Sequence, residues 1–268
     1  MYKKIDNGNA YEERQIVNSV QKILMEEMSW PEIKERITSE VTTVLVPIGS
    51  IEQHGPHLPI STDTLIAYSV VERAARKLGN ALVSPVIRPG ISLHHMDFPG
   101  TITLRPETLM QIITDYCTSL AEHGFKKIVL LSTHGGNAPA IAAVTPILDR
   151  SISNTSVVFI GDPYSLAKEE GFGDLLGAEG GGHAGRVETS MILADHPDLV
   201  DMNKAVKKQL KIPHSQMMFL LSTRGVKSLS EYGVLGDGLA GNKQDGLRLL
   251  EDLSDALVKR INDWLGSI

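Results

Sequence analysis

Four short, almost wholly apolar runs punctuate this chain, at Thr43–Ile48, Ala81–Val83 with an extension to Val86, Lys127–Leu131 and Ser156–Ile160. Runs of that length without alternating polar residues read as strands buried on both faces, as in a parallel sheet covered by helices. Between them, Leu65–Leu78, Pro106–His123 and Ala138–Arg150 carry apolar residues at three- and four-residue spacing, the period of a helix with one buried face. Pro106 with Glu107 suits a first helical turn, and Gly124 suits a stop. The alternation predicts an α/β fold, a mostly parallel β-sheet sandwiched between α-helices.

Two more helices are expected over Gly185–Leu193 and Leu239–Leu265, the second with Leu247, Leu249, Leu250, Leu253, Leu257 and Ile261 as its apolar stripe. Helix character also runs over Lys22–Ile37, starting at Ser29-Trp30-Pro31-Glu32. With no internal repeat, low-complexity tract or linker, residues 41–268 are read as one domain. Residues 1–40 are read as an extension whose first helix packs on it, the polar stretch 1–20 being poorly ordered or packed on a neighbouring subunit.

Composition excludes several functions. A net charge of −6 offers no basic surface for nucleic acid, and the short Lys204, Lys207, Lys208 cluster reads as a solvated helix face. No apolar run reaches the ~18 residues of a membrane span, and MYKKIDNGNAYEERQ lacks a signal-peptide core. The single cysteine, Cys117, falls in a helical pattern as a small core residue and suits a reducing compartment. A soluble, cytoplasmic protein follows as the expectation.

The chemistry concentrates where strands are expected to end. After the first run, Val44 to Asp63 places Glu52, His54, His57 and Asp63 within twelve residues, on a loop stiffened by Pro56 and Pro59. Carboxylate oxygens and imidazole nitrogens converging from a rigid base are what a divalent metal requires. Glu52 and His54, two apart in an extended segment, share one side, and Gln53 between them points to the other. In doubly wound sheets, ligand sites collect at the carboxyl ends of the strands. The run Lys127–Leu131 leads into Ser132-Thr133-His134-Gly135-Gly136-Asn137, so His134 reaches the same edge, with Asn137 as a helix N-cap.

Two further loops bear on this edge. Three glycines precede His183, which is free to swing over a bound substrate, and Glu188 converges with it if His183 lies before the first helical turn. Arg186 either pairs with Glu188 or anchors an anionic substrate. The loop Gly90–Thr101 carries Ser92, His94 and His95. Adjacent histidines on an extended chain diverge, so one of the two is expected in the site. Ser92, His95, Gly135 and Glu179 are the candidate substrate contacts. The pattern as a whole reads as a two-metal hydrolase, in which a shared carboxylate such as Asp63 bridges ions ~3.5–4 Å apart, a water between them becomes hydroxide near neutral pH, and a histidine, His183, protonates the leaving group.

GSIEQHGPHLPISTD, FPGT, THGGN and GHAGRVETS occur in this order, and GVLGDGLAGNKQDG precedes the last helix. This series resembles the creatininase (creatinine amidohydrolase) family. The resemblance implies a single-domain α/β fold, a binuclear Zn, Mn or Fe centre, a small-molecule substrate and a homo-oligomer, often a hexamer built from dimers. By motif, Glu52, Asp63 and His134 match ligands of one metal, and His54 and Asp63 match ligands of the other.

Two positions depart from creatininase. Gly136 stands where creatininase has a glutamate on the second metal, which leaves Glu188 to supply the missing ligand. Glu179 stands where a pocket tryptophan falls, which argues against creatinine as the substrate. The expected activity is hydrolysis of a small cyclic amide, formamide or related non-peptide C–N bond, with His183 and Glu188 as catalytic residues. Ring opening of a cyclic polyol ketone on the same metals is the alternative enzyme reading. A non-catalytic binding or assembly module is the alternative outside enzymes.

Overall fold

The computed structural model describes residues 22–39, 41–176, 182–210 and 212–267. The polar stretch 1–20 and Glu179 lie outside the described residues. Strands β1 (Thr43–Ile48), β2 (Ala81–Val83), β3 (Lys127–Ser132) and β4 (Ser156–Phe159) form one parallel sheet in the order β2-β1-β3-β4. Thr43 pairs with Ala81 on one side and Lys127 on the other, and Lys127 pairs with Ser156. The order turns back on itself between β1 and β3, and that reversal opens a crevice at their carboxyl ends.

Strands β1 and β2 are buried along their whole length and β3 nearly so, as their apolar sequences require, whereas β4, at the sheet edge, fully buries only Val157. Leu45, Val129 and Leu131 point to one face, which is covered by α2 (Thr62–Leu78), α5 (Pro163–Glu169), α6 (Arg186–Asp195) and α8 (Lys243–Ser267). Val44, Val46, Ile48, Ile128 and Leu130 point to the other, covered by α3 (Pro106–Glu122) and α4 (Ala138–Ser151). Cys117 lies wholly buried there on α3, a core residue as expected. The α8 stripe buries Leu249, Leu250, Leu253, Leu257 and Ile261 but leaves Leu247 half-exposed. Each buried leucine contributes about 1.5–3 kcal/mol of transfer free energy.

The short helix α1 (Trp30–Thr38) begins in a capping box, where the Ser29 backbone N–H and hydroxyl both donate to Glu32 at 2.7 Å. The chain just before it runs parallel to β2, with Val83 N–H donating to Ile23 O. Two helices have no counterpart in the sequence reading. Helix α5 buries Pro163, Leu166 and Ala167 on one side but has only seven residues, too few for a period to stand out. Helix α7 (His214–Arg224) keeps Met218 and Phe219 exposed and lacks the one-sided burial that marks a helix in sequence. The Lys204 to Lys208 segment is not a helix face but a 3₁₀ turn and an irregular strand, with Lys204 on Asp201 and Lys207 on Asp237. No helix among the described residues is long and apolar enough to cross a membrane.

Helix α8 sits unusually close to α6, and a glycine permits it. A Cβ on Gly246 would stand 1.8 Å from the Ser190 carbonyl oxygen. Nearby, Asn242 N–H donates to Ser190 Oγ at 3.0 Å, and Arg186 pairs with Asp245 at 2.9 Å. Arg186 is thus turned to α8 rather than to Glu188. Gly246→Ala is expected to cost about 1–3 kcal/mol, the usual penalty of overpacking a closed contact. Urea denaturation measures it, and an unchanged midpoint would show that α6 and α8 separate freely.

Candidate metal centre

The crevice at the strand ends is assembled by loops that leave β1, β2 and β3, and one buried amide ties all three together. Asn137 Oδ1 accepts from Ile91 N–H at 2.8 Å, while Nδ2 donates to Gly49 O at 2.9 Å and to Ser132 Oγ at 3.3 Å. It occupies the position before α4 but makes no side-chain cap, contrary to the reading from sequence. The Ile91 N–H and the Gly49 carbonyl are backbone groups that no strand partner satisfies, and a wholly buried amide with both a donor and an acceptor answers them.

Asp63 stands in the first turn of α2 and Glu188 in the first turn of α6, where the helix dipole favours negative charge. Ser50 Oγ donates to Asp63 Oδ2 at 2.5 Å, and Thr133 Oγ1 donates to the Asp63 carbonyl at 2.7 Å. Glu52 and His54 arrive from the β1 loop and His134 from the β3 loop, each 5% exposed or less. Three overlapping sets result, each with its ligand atoms within 4.8 Å of one another: Glu52–His54–His183, and the pair Glu52–Asp63–His134 and His54–Asp63–Glu188. Asp63 belongs to both.

Each histidine is held from behind. His54 Nδ1 faces Glu52 O at 3.1 Å, His134 Nε2 faces Ile91 O at 2.9 Å, and His183 Nε2 faces Gln53 O at 2.8 Å. A carbonyl can only accept, so these nitrogens carry the protons, and a lone pair is left on the other nitrogen of each ring in the neutral form. For His54 that is Nε2, 3.5 Å from Asp63 Oδ1 and 3.9 Å from Glu188 Oε2. For His134 it is Nδ1, 3.3 Å from Asp63 Oδ2. His54 Nε2 and Glu52 Oε2 are buried and hydrogen-bonded to nothing. Orphaned atoms of ligand type, aimed at a shared carboxylate, fit divalent cations.

A family model described as creatinine amidohydrolase matches residues 26–261. This chain belongs to the creatininase family. A mycofactocin precursor peptide peptidase of Mycolicibacterium smegmatis is 32% identical over 85% of this chain and 88% of its own length. The creatinine amidohydrolase of Pseudomonas putida is 32% identical over 69% and 76%. A 3-dehydro-scyllo-inosose hydrolase of Thermotoga maritima is 27% identical over 70% and 61%. Solved structures of creatininase, one a manganese form and one a Zn–Zn mutant form, superpose with a TM-score of 0.79 at 26% identity, covering 91% of this chain and 98% of theirs.

The departure from creatininase at Gly136 has a steric cause in this chain. A Cβ there would meet Ile91 O at 2.3 Å and His134 Nε2 at 2.4 Å, so no glutamate fits without moving the His134 loop. Glu188 stands instead beside His54 and Asp63, held by the Ala184 N–H at 2.6 Å. His183 precedes the first turn of α6, which is what lets both residues face the same point.

Other candidates fall differently. His95 is buried on the wall, with Nε2 3.2 Å from Glu52 Oε1. His94 also lines the cavity, because residues 93–95 form a 3₁₀ turn rather than the extended chain expected, so the two rings do not diverge. Gly135 lines the cavity; Ser92 is wholly buried and does not. His57 turns away to Thr189 Oγ1 at 2.9 Å. Gln53, expected to point outward, is buried in the site instead. Its Nε2 lies 2.8 Å from His95 Nδ1 and 2.9 Å from His183 Nε2, and its Oε1 accepts from Gly55 N–H. A cavity of about 1040 Å³ opens above these groups, lined also by Tyr164, Lys168 and α7 side chains.

The charges compensate one another. Burial opposes ionisation of Glu52, yet the neighbouring His134 holds its carboxyl down to about 2, and Asp63 is likewise held well below its ordinary value, chiefly by His54. Burial opposes charge on His54 as well, but Asp63 and then Glu188 keep that ring protonated up to about 10; His134 is raised by Glu52 and Asp63. Burial, opposed by His54 and aided by Asp63, pushes Glu188 up to about 7. Burial and the nearby His54 push His183 down to about 3.

Divalent cations must displace these protons, so their affinity should fall as the pH drops through 7, where Glu188 also protonates. Calorimetric titration of Zn²⁺ at pH 7 in buffers of different ionisation enthalpy should show release of at least about one proton per ion. Binding enthalpies independent of the buffer would contradict the charge arrangement. Asn137→Ala should lower stability by about 2–4 kcal/mol, because it orphans the Ile91 N–H and the Gly49 carbonyl in two loops and cuts the link to Ser132; a chemical denaturation midpoint equal to that of the wild type would show the tie to be dispensable.

Proposed function

We propose that this creatininase-family amidohydrolase is binuclear, and that it hydrolyses the C–N bond of a small cyclic amide, formamide or related amide. The observation that carries the reading is the pair of ligand sets meeting at Asp63, with the histidines pinned through their opposite nitrogens. Glu52, Asp63 and His134 hold one ion, and His54, Asp63 and Glu188 hold the other, Zn, Mn or Fe. When bound, such a pair supplies a water acidic enough to attack near neutral pH and a Lewis acid for the carbonyl.

The chain's own residues supply the rest. His183 is neutral at the outset, with its lone pair on Nδ1, 3.9 Å from Glu52 Oε1. It takes up the proton that the attacking water loses and delivers it to the departing nitrogen. Gln53 sets the ring by accepting from Nε2 through its backbone carbonyl. His95 steadies Glu52, and Gly135 leaves room for substrate against the backbone. Glu179 belongs to the same reading as a substrate contact. Trp30 is exposed and Trp264, on α8, packs partly buried against the core, so no tryptophan among the described residues closes the cavity, which disfavours creatinine.

A second reading has an observation of its own. A cavity of about 1040 Å³ has room for more than a small ring, and the relative from Mycolicibacterium smegmatis is a precursor peptide peptidase. An amide within a longer substrate fits that volume. Ring opening of a cyclic polyol ketone has support in the Thermotoga maritima relative; product analysis separates it, since no nitrogen is released. A cytoplasmic homo-oligomer, a hexamer by family analogy, goes with either reading.

Elemental analysis after reconstitution with Zn²⁺ or Mn²⁺ tests the centre directly. Wild-type protein is expected to hold two ions and Glu188→Ala about one, with hydrolysis falling at least about 10²-fold. Asp63→Ala is expected to lose both ions and all activity. Full activity in Asp63→Ala, or two ions retained in Glu188→Ala, would sink this assignment.

A further inference from the structure

Tyr164 is a residue to which the sequence drew no attention. It stands in the first turn of α5, just beyond the carboxyl end of β4, so a fourth strand end contributes to the crevice. Its ring packs against the core shared by α2, α6 and α8, which fixes the body of the side chain. Its hydroxyl is enclosed and finds no hydrogen-bond partner. Yet the residue lines the cavity together with Glu52, Asp63, His134, His183 and Glu188. A tyrosine hydroxyl taken out of water normally finds an acceptor, and leaving it without one is destabilising.

Five more buried side-chain atoms among the described residues lack a hydrogen-bond partner, and none of them competes with Tyr164 for this role. Glu52 Oε2 and His54 Nε2 belong to the candidate cation sites. His57 Nδ1, Ser92 Oγ and Asp237 Oδ1 belong to residues that do not line the cavity. Among the described residues, Tyr164 is therefore the one residue lining the cavity, outside the candidate cation sites, whose buried donor lacks a partner. Burial, reinforced by the charges of Glu188 and Asp63, raises the phenol well above its ordinary value, so it retains its proton and acts as a donor.

We propose that Tyr164 is a substrate-binding residue whose hydroxyl donates a hydrogen bond to the carbonyl oxygen of the bound substrate at the carboxylate end of the cavity. That the acceptor is an amide carbonyl rests on the amidohydrolase reading; that an acceptor oxygen sits there does not. A preorganised donor in a water-poor site strengthens as the oxygen gains charge, so the contact favours the tetrahedral transition state over the ground state.

Tyr164→Phe in the full chain tests this with three readouts. The metal-free variant should melt at the temperature of the wild type or slightly above, because removing a hydroxyl with no protein partner breaks no bond. Its Zn²⁺ or Mn²⁺ content after reconstitution should equal that of the wild type. Calorimetry of the Zn²⁺-loaded proteins with acetohydroxamate, a small probe that presents a carbonyl oxygen, should give a dissociation constant about tenfold higher in the variant.

On any amide that the wild type turns over, kcat/KM should fall about 10²-fold. Equal probe affinity in the two proteins, no binding of the probe to the wild type, or a metal-free variant that melts several degrees lower would each overturn the proposal. The probe measurement needs no turnover, so a wild type that binds it but hydrolyses no amide would refute the amidohydrolase reading while leaving this one in place.

Discussion

Asp63 is the point on which the structure turns. It is a buried carboxylate shared by two sets of ligand-type side chains, and everything around it is arranged to make that burial tolerable. An isolated charge in such a place is costly enough that the group would neutralise instead. Here the α2 N-terminus, the Ser50 hydroxyl and the rings of His54 and His134 all favour its ionised form. Those partners come from different segments of the chain, so only the complete fold lets Asp63 stay charged once it is buried.

The scaffold explains how they meet. A parallel sheet sends every strand out at the same edge, and its reversal between β1 and β3 leaves a crevice there rather than a packed surface. Glu52 and His54 descend from one side of that crevice and His134 from the other. Helix α6 brings Glu188 in from above, pressed into position by the close approach of α8 at Gly246. The backbone carbonyls that pin His54, His134 and His183 are those of Glu52, Ile91 and Gln53, so first contacts and their supports are built from the same loops. Rotating one loop would therefore misdirect ligands on another, which is why Asn137 matters although it touches no ligand oxygen.

Much of this was legible in the linear chain. Three strands emerged within one residue of the apolar runs, because an unbroken apolar run leaves no polar break to blur its ends, whereas β2 stops at Val83 without the extension to Val86. The ligand-type residues stood out because Glu, His and Asp on a loop stiffened by proline have few structural uses. Helices α5 and α7 did not show, since seven residues are too few to reveal a period and a helix with exposed Met218 and Phe219 lacks a one-sided one. The outward reading of Gln53 and the divergence of His94 and His95 both assumed extended backbone. The chain instead turns at Gly55, where φ is +69°, and winds into a 3₁₀ turn at 93–95.

Residue order alone was enough for the fold class, the edge of the sheet at which chemistry collects and the kinds of atoms that gather there. These follow from local patterning, since hydrophobic period and residue chemistry are properties of short segments. Three-dimensional packing was needed to settle which nitrogen of each histidine faces inward, that Glu188 rather than position 136 stands beside His54, that Asn137 binds loops instead of capping a helix, and that Tyr164, on the cavity wall, keeps a buried hydroxyl unpaired. Each of those depends on groups dozens of residues apart coming within a few ångströms. Such distances are set by how helices pack on the sheet, and no spacing along the chain encodes them.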